Sequence, residues 1–349
     1  MNSEGTPPPA RTFHGVILGA ALLIAALGGA FVMGFLSPAQ RVPRTRQGRP
    51  IVQIVRQQPG LPDIADLIDR LCPSVAVILP KGSDVAAGLS DPSRVPAFAF
   101  SADGWLVTSA THLQQLPLDA VFGDGRRAEL TDIRRDPVSG LAIVKIASAA
   151  TPALQLSDQA FPRVGQFGFA LTTPTGAGCS AGAAMIGSDF LADGGGPAGY
   201  VRLEPTPQRW SAGMPLLGMD GRVLGVGSDD PAGAAIPGPI ASVILDELIR
   251  NSLSASTSFG FRAIDYSASF SARLGEVRSG AGVAIVQSGS SADQAGLRAG
   301  DIITAVNDDP VSSASELSRA LDALSSKAAL TVQRRTQQLR FTIKRKASS

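Results

Sequence analysis

Short apolar runs separated by turn residues characterise the chain between residues 74 and 236. Runs such as VAVIL, GWLVTS, LAIVKI and RVLGVGS alternate there with Gly, Asp and Pro. Many short strands bounded by turn residues are typical of an all-β barrel or a sandwich pair. The 38 glycines and 25 prolines of the chain support this interpretation, because they favour turns over long helices. We therefore predict a mainly β domain.

Two predicted amphipathic helices border this β-rich region. DIADLIDRL, residues 63–71, places four apolar residues at helical spacing, and Pro73 ends the helix. IASVILDELIRNSL, residues 240–253, predicts a second helix that closes the domain. Residues 259–346 form a separate predicted unit, in which the strands GVAIV, DIITAV and LTVQR surround the helix SASELSRALDAL.

A long apolar segment, HGVILGAALLIAALGGAFVMGFLS, occupies residues 14–37 and carries no charged side chain. It is long enough to cross a bilayer as a helix, for which about 20 residues are needed. A cleaved signal peptide is the alternative, since Ser37-Pro38-Ala39 offers small residues at a cleavage point, but the apolar core of such a peptide usually has only about 7–15 residues. We predict a cytoplasmic stub and transmembrane anchor over 1–37, and a linker rich in Pro, Arg and Gln over 38–60.

Composition and charge narrow the range of functions. The formal net charge is only +2, which does not indicate a nucleic-acid partner. The basic C-terminal run VQRRTQQLRFTIKRK alternates apolar and polar residues as an edge strand does. The chain has no CxxC or HExxH motif, so we expect no metal and no cofactor. Cys72 and Cys179 allow either one disulfide or two buried thiols, and the sequence leaves both open.

Four stretches together resemble the HtrA/Deg family of membrane-linked serine proteases, over about residues 62–346. They are DGWLVTSATHL (103–113), DPVSGLAIVKI (136–146), SAGMPLLGMDGRVLGV (211–226) and AAIPGPIASVILDELI (234–249). The resemblance implies a mainly β fold, with a chymotrypsin-like, also called trypsin-like, double β-barrel over 61–252 and a PDZ domain over 255–347.

The three positions that carry the chemistry in this family are altered here. By the motif spacing, the family's catalytic histidine, aspartate and serine fall on Thr111, Gly140 and Ala212. Threonine cannot act as a base near neutral pH, glycine cannot orient an imidazole, and alanine cannot form an acyl-enzyme. Trp210 and Met214 replace two family glycines, of which the first donates to the oxyanion hole. The resemblance, taken together with these replacements, therefore implies a pseudoprotease, which keeps the protease fold without its catalysis.

Two alternatives to a partner-binding pseudoprotease are retained. The first is an active, atypical serine endopeptidase in protein quality control, which would use Ser211 and His112, each one residue from the expected position, with Asp136 four before Gly140. A slip of one residue in extended backbone turns a side chain to the opposite face, so two such slips would need compensating loop changes. The second alternative is a purely structural assembly factor.

The C-terminal unit resembles the PDZ domain of the same family. SFGFRAI, residues 258–264, stands at the carboxylate-binding loop, and residues 282–311 follow the PDZ pattern. The N–H groups of Gly260 and Phe261 would hold the terminal carboxylate of a partner, and the strand that includes Ile264 would pair with the bound peptide. Phe259, Phe261, Leu317 and Leu321 would line the apolar pocket, or would only fill the core of the domain.

Location and partners follow from the resemblance. It implies a bacterial inner-membrane protein with a single span, whose soluble domains lie on the periplasmic side and bind protein or peptide C-termini. It also implies a possible homo-trimer. Four arginines at 41–49 follow the apolar segment and only Arg11 precedes it, which would by itself keep the downstream part in the cytoplasm. We give the resemblance more weight than this charge bias.

Overall fold

The computed structural model describes residues 63–84, 94–147, 151–157, 161–189, 199–228, 233–265 and 279–346. Every described residue belongs to one compact unit, Pro62–Ser349. The anchor predicted at 14–37 and the linker at 38–60 lie outside the described residues. Among the helices that are described, none is long and apolar enough to span a bilayer.

The N-terminal half of the described chain forms a closed six-stranded barrel. Helix α1 (Ile64–Leu71) and a 3-10 turn (Cys72–Ser74) lead into it. The strands are β1 (Val75–Pro80), β2 (Val95–Ala99), β3 (Trp105–Ser109), β4 (Leu118–Phe122), β5 (Arg127–Arg135) and β6 (Leu141–Ile146), in the order β1-β2-β3-β6-β5-β4. The run VAVIL is apolar throughout because β1 is buried on both faces. Ala76 and Ile78 fill the barrel interior, whereas Val75 packs into a core shared with the second barrel.

A second closed six-stranded barrel follows. Its strands are β7 (Phe167–Thr172), β8 (Ser180–Asp189), β9 (Val201–Leu203), β10 (Pro215–Gly218), β11 (Val223–Gly227) and β12 (Ala234–Pro237), in the order β10-β11-β12-β9-β8-β7. Helix α2 (Gly238–Ile249) closes this part, and its buried face includes Ile240, Ile244 and Leu248. The prediction of a double β-barrel is therefore confirmed.

A disulfide bond joins the two barrels. Cys72 begins the 3-10 turn that leads into β1, Cys179 lies directly before β8, and their sulfurs are bonded at 2.04 Å. Both sulfurs pack against Gly123, where a Cβ atom would lie 2.5 Å from Cys72 Sγ and 2.7 Å from Cys179 Sγ. Of the two alternatives left by the sequence, the structure contains the bonded pair.

Replacing both cysteines by alanine is expected to lower the free energy of unfolding by about 2–5 kcal/mol, as for other native disulfides. The bond connects positions 107 residues apart, so its removal frees a large loop in the unfolded chain. Urea denaturation followed by intrinsic fluorescence measures the change. Thr175→Ala, at an exposed position near Cys179, is the control. Equal midpoints for the double variant and the control would contradict the prediction.

The C-terminal part is a PDZ domain. A 3-10 turn (Ala255–Phe259) leads into β13 (Phe261–Asp265), β14 (Ala281–Val286), the short helix α3 (Ser291–Gln294), β15 (Ile302–Val306), β16 (Asp309–Pro310), α4 (Ala314–Asp322), β17 (Lys327–Arg334) and β18 (Gln337–Lys344). The sheet order is β13-β14-β15-β17-β18, with β16 paired to β15. The basic run near the C-terminus forms the β17–β18 hairpin, and β18 is an edge strand, as its alternation predicted.

The PDZ domain packs against the barrels through one face of its sheet. Ile264, Ala284 and Ile285 belong to the same buried apolar cluster as Val138 and Tyr200 of the barrel domain. A Cβ atom at Gly199 would lie 1.7 Å from the carbonyl oxygen of Ala284, so the two backbones are in direct contact there. The described residues of both domains therefore form one compact body.

Candidate functional site

The three altered triad positions meet in one pocket of about 250 Å³. Thr111 follows β3, Gly140 directly precedes β6, and Ala212 lies in the loop between β9 and β10. All three line the pocket. A Cβ atom at Gly140 would lie 3.9 Å from Thr111 Oγ1. The fold thus brings together the positions that the motif spacing singled out.

The pocket offers hydroxyl groups but no acid–base pair. Besides Thr111, the hydroxyl residues Ser139, Tyr200, Ser228 and Ser288 line it. Among its described lining residues there is no histidine, carboxylate or lysine. A hydroxyl needs an adjacent base, a lowered pKa or a metal to become a nucleophile. No group of three His, Cys, Asp or Glu side chains that could hold a metal ion occurs in the described part of the chain.

The loop next to Ala212 does not present the donor that an oxyanion hole needs at position 210. The backbone N–H of Trp210 donates to the carbonyl of Pro207 at 2.9 Å. Its indole N–H donates to the carbonyl of Ala234 at 3.2 Å, and the ring packs on the core of the second barrel. Both donors of Trp210 are therefore engaged within the second barrel. An oxyanion hole works through donors that point at the reacting oxygen.

Gly213 lies against the first barrel, and its neighbour Met214 is buried. Gly213 has φ +83°, and a Cβ atom there would lie 2.7 Å from the carbonyl oxygen of Pro96 and 2.8 Å from the backbone nitrogen of Ser109. Only glycine tolerates both the positive φ and this close approach. Met214 is buried with 2% of its surface exposed. The side chain that replaces a family glycine is thus accommodated inside the protein.

The residues of the hypothetical shifted triad do not line this pocket. His112 is exposed and Ser211 is half-buried, and neither is among the lining residues. Asp136 is buried, and its carboxylate accepts hydrogen bonds from the Ser139 N–H at 2.9 Å and from Arg262 Nη2 at 2.7 Å. The carboxylate proposed to orient a histidine is thus bound to other groups.

Arg262 is the buried centre of an ion triad between the PDZ domain and the barrels. Its guanidinium donates to Asp136 through Nε and Nη2, and through Nη1 to Glu247 of α2. The side chain of Arg262 is 2% exposed, that of Asp136 is 0% exposed and that of Glu247 is 21% exposed. Burial lowers the pKa of Arg262, but the charges and hydrogen bonds of Asp136 and then Glu247 outweigh it and raise the pKa above its usual value.

The sequence pattern does not predict this ion triad. The alternation in FRAI does place Arg262 on the strand face that Ile264 occupies, opposite Phe261 and Ala263. That pattern could have indicated a buried cation, but it does not identify a partner 126 residues away.

The residues predicted to bind a peptide are divided between two cores. Phe259, Phe261, Leu317 and Leu321 are buried in the core of the PDZ domain. Ile264 is buried in the cluster shared with the barrels. The N–H of Gly260 donates to the carbonyl of Thr257 at 3.0 Å. To bind the terminal carboxylate of a peptide, this loop would need donors other than the Gly260 N–H, or the hydrogen bond from Gly260 to Thr257 would have to break.

Comparison with protein families gives two matches. Residues 97–226 match the trypsin-like peptidase domain, and residues 282–334 match the PDZ domain. The first match covers the strands and loops that carry Thr111, Gly140 and Ala212. The second begins within β14 and ends with β17.

The chain is also similar to curated serine proteases. The chain is 29% identical to a probable periplasmic serine endoprotease DegP-like of Chlamydia pneumoniae, over 66% of this chain and 50% of the relative. It is 25% identical to the periplasmic pH-dependent serine endoprotease DegQ of Escherichia coli, over 75% and 65%, and 28% identical to serine protease HTRA4 of Homo sapiens, over 74% and 60%. The chain thus spans about half the length of the first relatives. Together with the two barrels and the PDZ sheet, these matches show that the chain is similar to HtrA/DegP-type serine proteases and that it combines a trypsin-like peptidase fold with a PDZ domain.

Proposed function

We propose that this chain is a membrane-anchored pseudoprotease that binds polypeptides without cleaving them. The observation that supports the proposal most directly is that Thr111, Gly140 and Ala212 line one pocket. A Cβ atom at Gly140 would lie 3.9 Å from Thr111 Oγ1, so the first two positions are close neighbours. A relay of nucleophile, base and orienting carboxylate requires three functional groups in contact. These positions supply one neutral hydroxyl in place of the three groups.

The neighbouring residues support the same conclusion. The engaged N–H of Trp210 removes a donor from the oxyanion hole, and such a donor contributes about 10²–10³ to kcat in a serine protease. The bonds of Asp136 to Arg262 and Ser139 weigh against the alternative that uses Ser211 and His112. The named relatives are serine proteases, so this chain would keep their fold and differ in chemistry.

Polypeptide binding is the role that remains for such a scaffold. The PDZ domain is a recognition module for peptide C-termini, and β13 is the end strand of its sheet in the described chain. A bound peptide would add as a further strand along the edge of β13 that faces away from β14. A purely structural assembly factor, in which the PDZ domain binds no peptide, is the competing proposal, and assembly as a homo-trimer is compatible with either.

We further propose that the soluble domains lie in the periplasm, held to the inner membrane by residues 14–37. The disulfide between Cys72 and Cys179 supports an oxidising compartment, because such bonds are rare in the reducing cytosol. The names of the relatives from Chlamydia pneumoniae and Escherichia coli include a periplasmic location. Both observations agree with the orientation inferred from the family and oppose the arginine bias.

A fluorophosphonate probe, which labels activated serine nucleophiles, is expected not to label the full chain in detergent. The physical reason is that the described lining of the pocket has hydroxyl groups but no histidine, carboxylate or lysine to act as a base beside them. Labelling is measured by in-gel fluorescence beside chymotrypsin as the positive control. Labelling of the parent that disappears in Ser211→Ala but persists in Ser188→Ala, at a strand position outside the pocket, would establish the atypical enzyme instead.

A further inference from the structure

A second cavity, of about 260 Å³, lies between strand β5 of the first barrel and the C-terminal end of helix α2. Its described lining, which defines the β5–α2 cavity, consists of Asp132, Ile133, Arg134, Arg135, Leu248, Asn251 and Leu253. None of these residues lines the pocket at the altered triad positions. Leu248 is buried, whereas Asn251 and Leu253 are exposed, so the cavity is open to solvent.

Two adjacent arginines give the β5–α2 cavity a net positive charge. Arg134 is paired with Asp132, with 2.8 Å between Nε and the carboxylate, so the charges of these two side chains balance. Arg135 is half-buried and donates from Nη2 to the backbone carbonyls of Leu113 and Gln114, at 3.1 Å each. Within the described chain Arg135 has no carboxylate partner, and its Nε and Nη1 have no acceptor. The lining therefore has one uncompensated positive charge.

The end of helix α2 does not oppose the binding of an anion here. The last carbonyls of a helix carry partial negative charge, which disfavours an anionic ligand. The carbonyls of Leu248 and Ile249, however, accept hydrogen bonds from Arg134 Nη1. Arg134 Nη2 has no acceptor in the part of the chain that is described. The helix end is thus covered by a guanidinium group that still has N–H groups to donate.

The size of the cavity and its apolar residues limit the ligand further. Ile133, Leu248 and Leu253 present apolar surface beside the arginines, and Leu253 keeps 41% of its surface exposed. Pockets for drug-sized ligands usually measure about 300–1,000 Å³, so this cavity fits a smaller molecule. Guanidinium groups bind carboxylates through strong, charge-assisted hydrogen bonds. These features together favour a small organic acid with one carboxylate and a short apolar body.

We infer that the β5–α2 cavity is a binding site for a small monocarboxylate. Arg134 and Arg135 would bind the carboxylate, and Ile133 and Leu253 would contact the apolar body. Such a ligand would connect the first barrel to the segment that leads into the PDZ domain, because Leu253 lies between α2 and the 3-10 turn that begins at Ala255. The inference goes beyond the proposed function and does not depend on it, since neither the triad positions nor the PDZ groove takes part.

Isothermal titration calorimetry of the full chain in detergent tests the inference, with isovalerate as the probe. We expect saturable binding of this acid, and binding at least about tenfold weaker for its neutral amide, isovaleramide, because the amide lacks the charge that Arg135 would complement. The capped peptide acetyl-Ala-Glu-Ala-amide carries a carboxylate on a larger body. We expect it to bind more weakly than isovalerate, because of the small volume of the cavity.

Two variants locate the site. Arg135→Gln removes the uncompensated charge and is expected to weaken isovalerate binding at least about tenfold. Arg127→Gln, in the same strand but outside the cavity, is the matched control and leaves binding unchanged. Leu253→Glu places a carboxylate at an exposed position of the lining and should weaken binding by a similar factor. Ile64→Glu, at a position with 43% exposure, is the control for this second variant.

Circular dichroism establishes that each variant is folded. The inference is overturned if isovalerate does not bind saturably, if isovaleramide binds equally well, or if the capped peptide binds more tightly than the acid. Equal affinities of Arg135→Gln and Arg127→Gln, or of Leu253→Glu and Ile64→Glu, would place the acid elsewhere and overturn it too. None of these results bears on the pseudoprotease proposal, which the fluorophosphonate probe tests separately.

Discussion

Replacing Arg262 by methionine is expected to lower the free energy of unfolding by about 3–5 kcal/mol, the usual cost of removing one partner from a buried ion pair. The substitution keeps much of the side-chain volume but leaves Asp136, whose side chain is 0% exposed, without its main counter-charge. Glu247 retains the N–H of Ser254 as a donor and part of its exposure, so Asp136 carries most of the penalty. Urea denaturation of parent and variant measures the difference.

An exposed ion pair provides the matched control. Arg340 pairs with Asp308 on the PDZ surface, with side chains 59% and 70% exposed. Arg340→Met is expected to change the free energy of unfolding by about 0–1 kcal/mol. Adding Asp136→Asn to Arg262→Met should recover part of the loss, since it removes the uncompensated charge. If Arg262→Met lowers the free energy of unfolding no more than Arg340→Met does, the stabilising role assigned to the buried ion triad is contradicted.

The second large effect concerns the restoration of catalysis. Thr111→His, Gly140→Asp and Ala212→Ser together would return base, orienting carboxylate and nucleophile to positions that share one pocket. Gly140 has φ +72°, a conformation that aspartate tolerates better than most residues. We nevertheless expect little casein cleavage by this triple variant, because the N–H of Trp210 is bonded to Pro207.

Adding Trp210→Gly and Met214→Gly to the triple variant is expected to raise casein cleavage by about a hundredfold or more. The two glycines would free the loop to turn a donor toward the reacting oxygen. The parent chain should be inert, and circular dichroism establishes that each variant is folded. Ordinary protease activity in the triple variant alone would refute the argument about the oxyanion hole. An inactive but folded quintuple variant would mean that the backbone of the scaffold has changed too.

Much of the fold could be predicted from local pattern. The helix predicted at 63–71 begins at Ile64 and ends at Leu71, because its apolar spacing and Pro73 act within a few residues. LAIVKI coincides with β6, and RVLGVGS forms β11 except for its first and last residues. The motif spacing also identified Thr111, Gly140 and Ala212, which line one pocket.

What the sequence by itself determined is therefore whatever depends on neighbouring residues: strand and helix positions, turns, and the residue types at the three triad positions. Only the tertiary structure decided the partners of distant groups. It bonded Cys72 to Cys179 across 107 residues and Arg262 to Asp136 across 126. It also placed Ser288 in the wall of the pocket and turned the N–H of Trp210 toward Pro207. The physical reason is that periodicity specifies which face of an element is buried, whereas the group that meets that face depends on how the barrels and the PDZ sheet pack together.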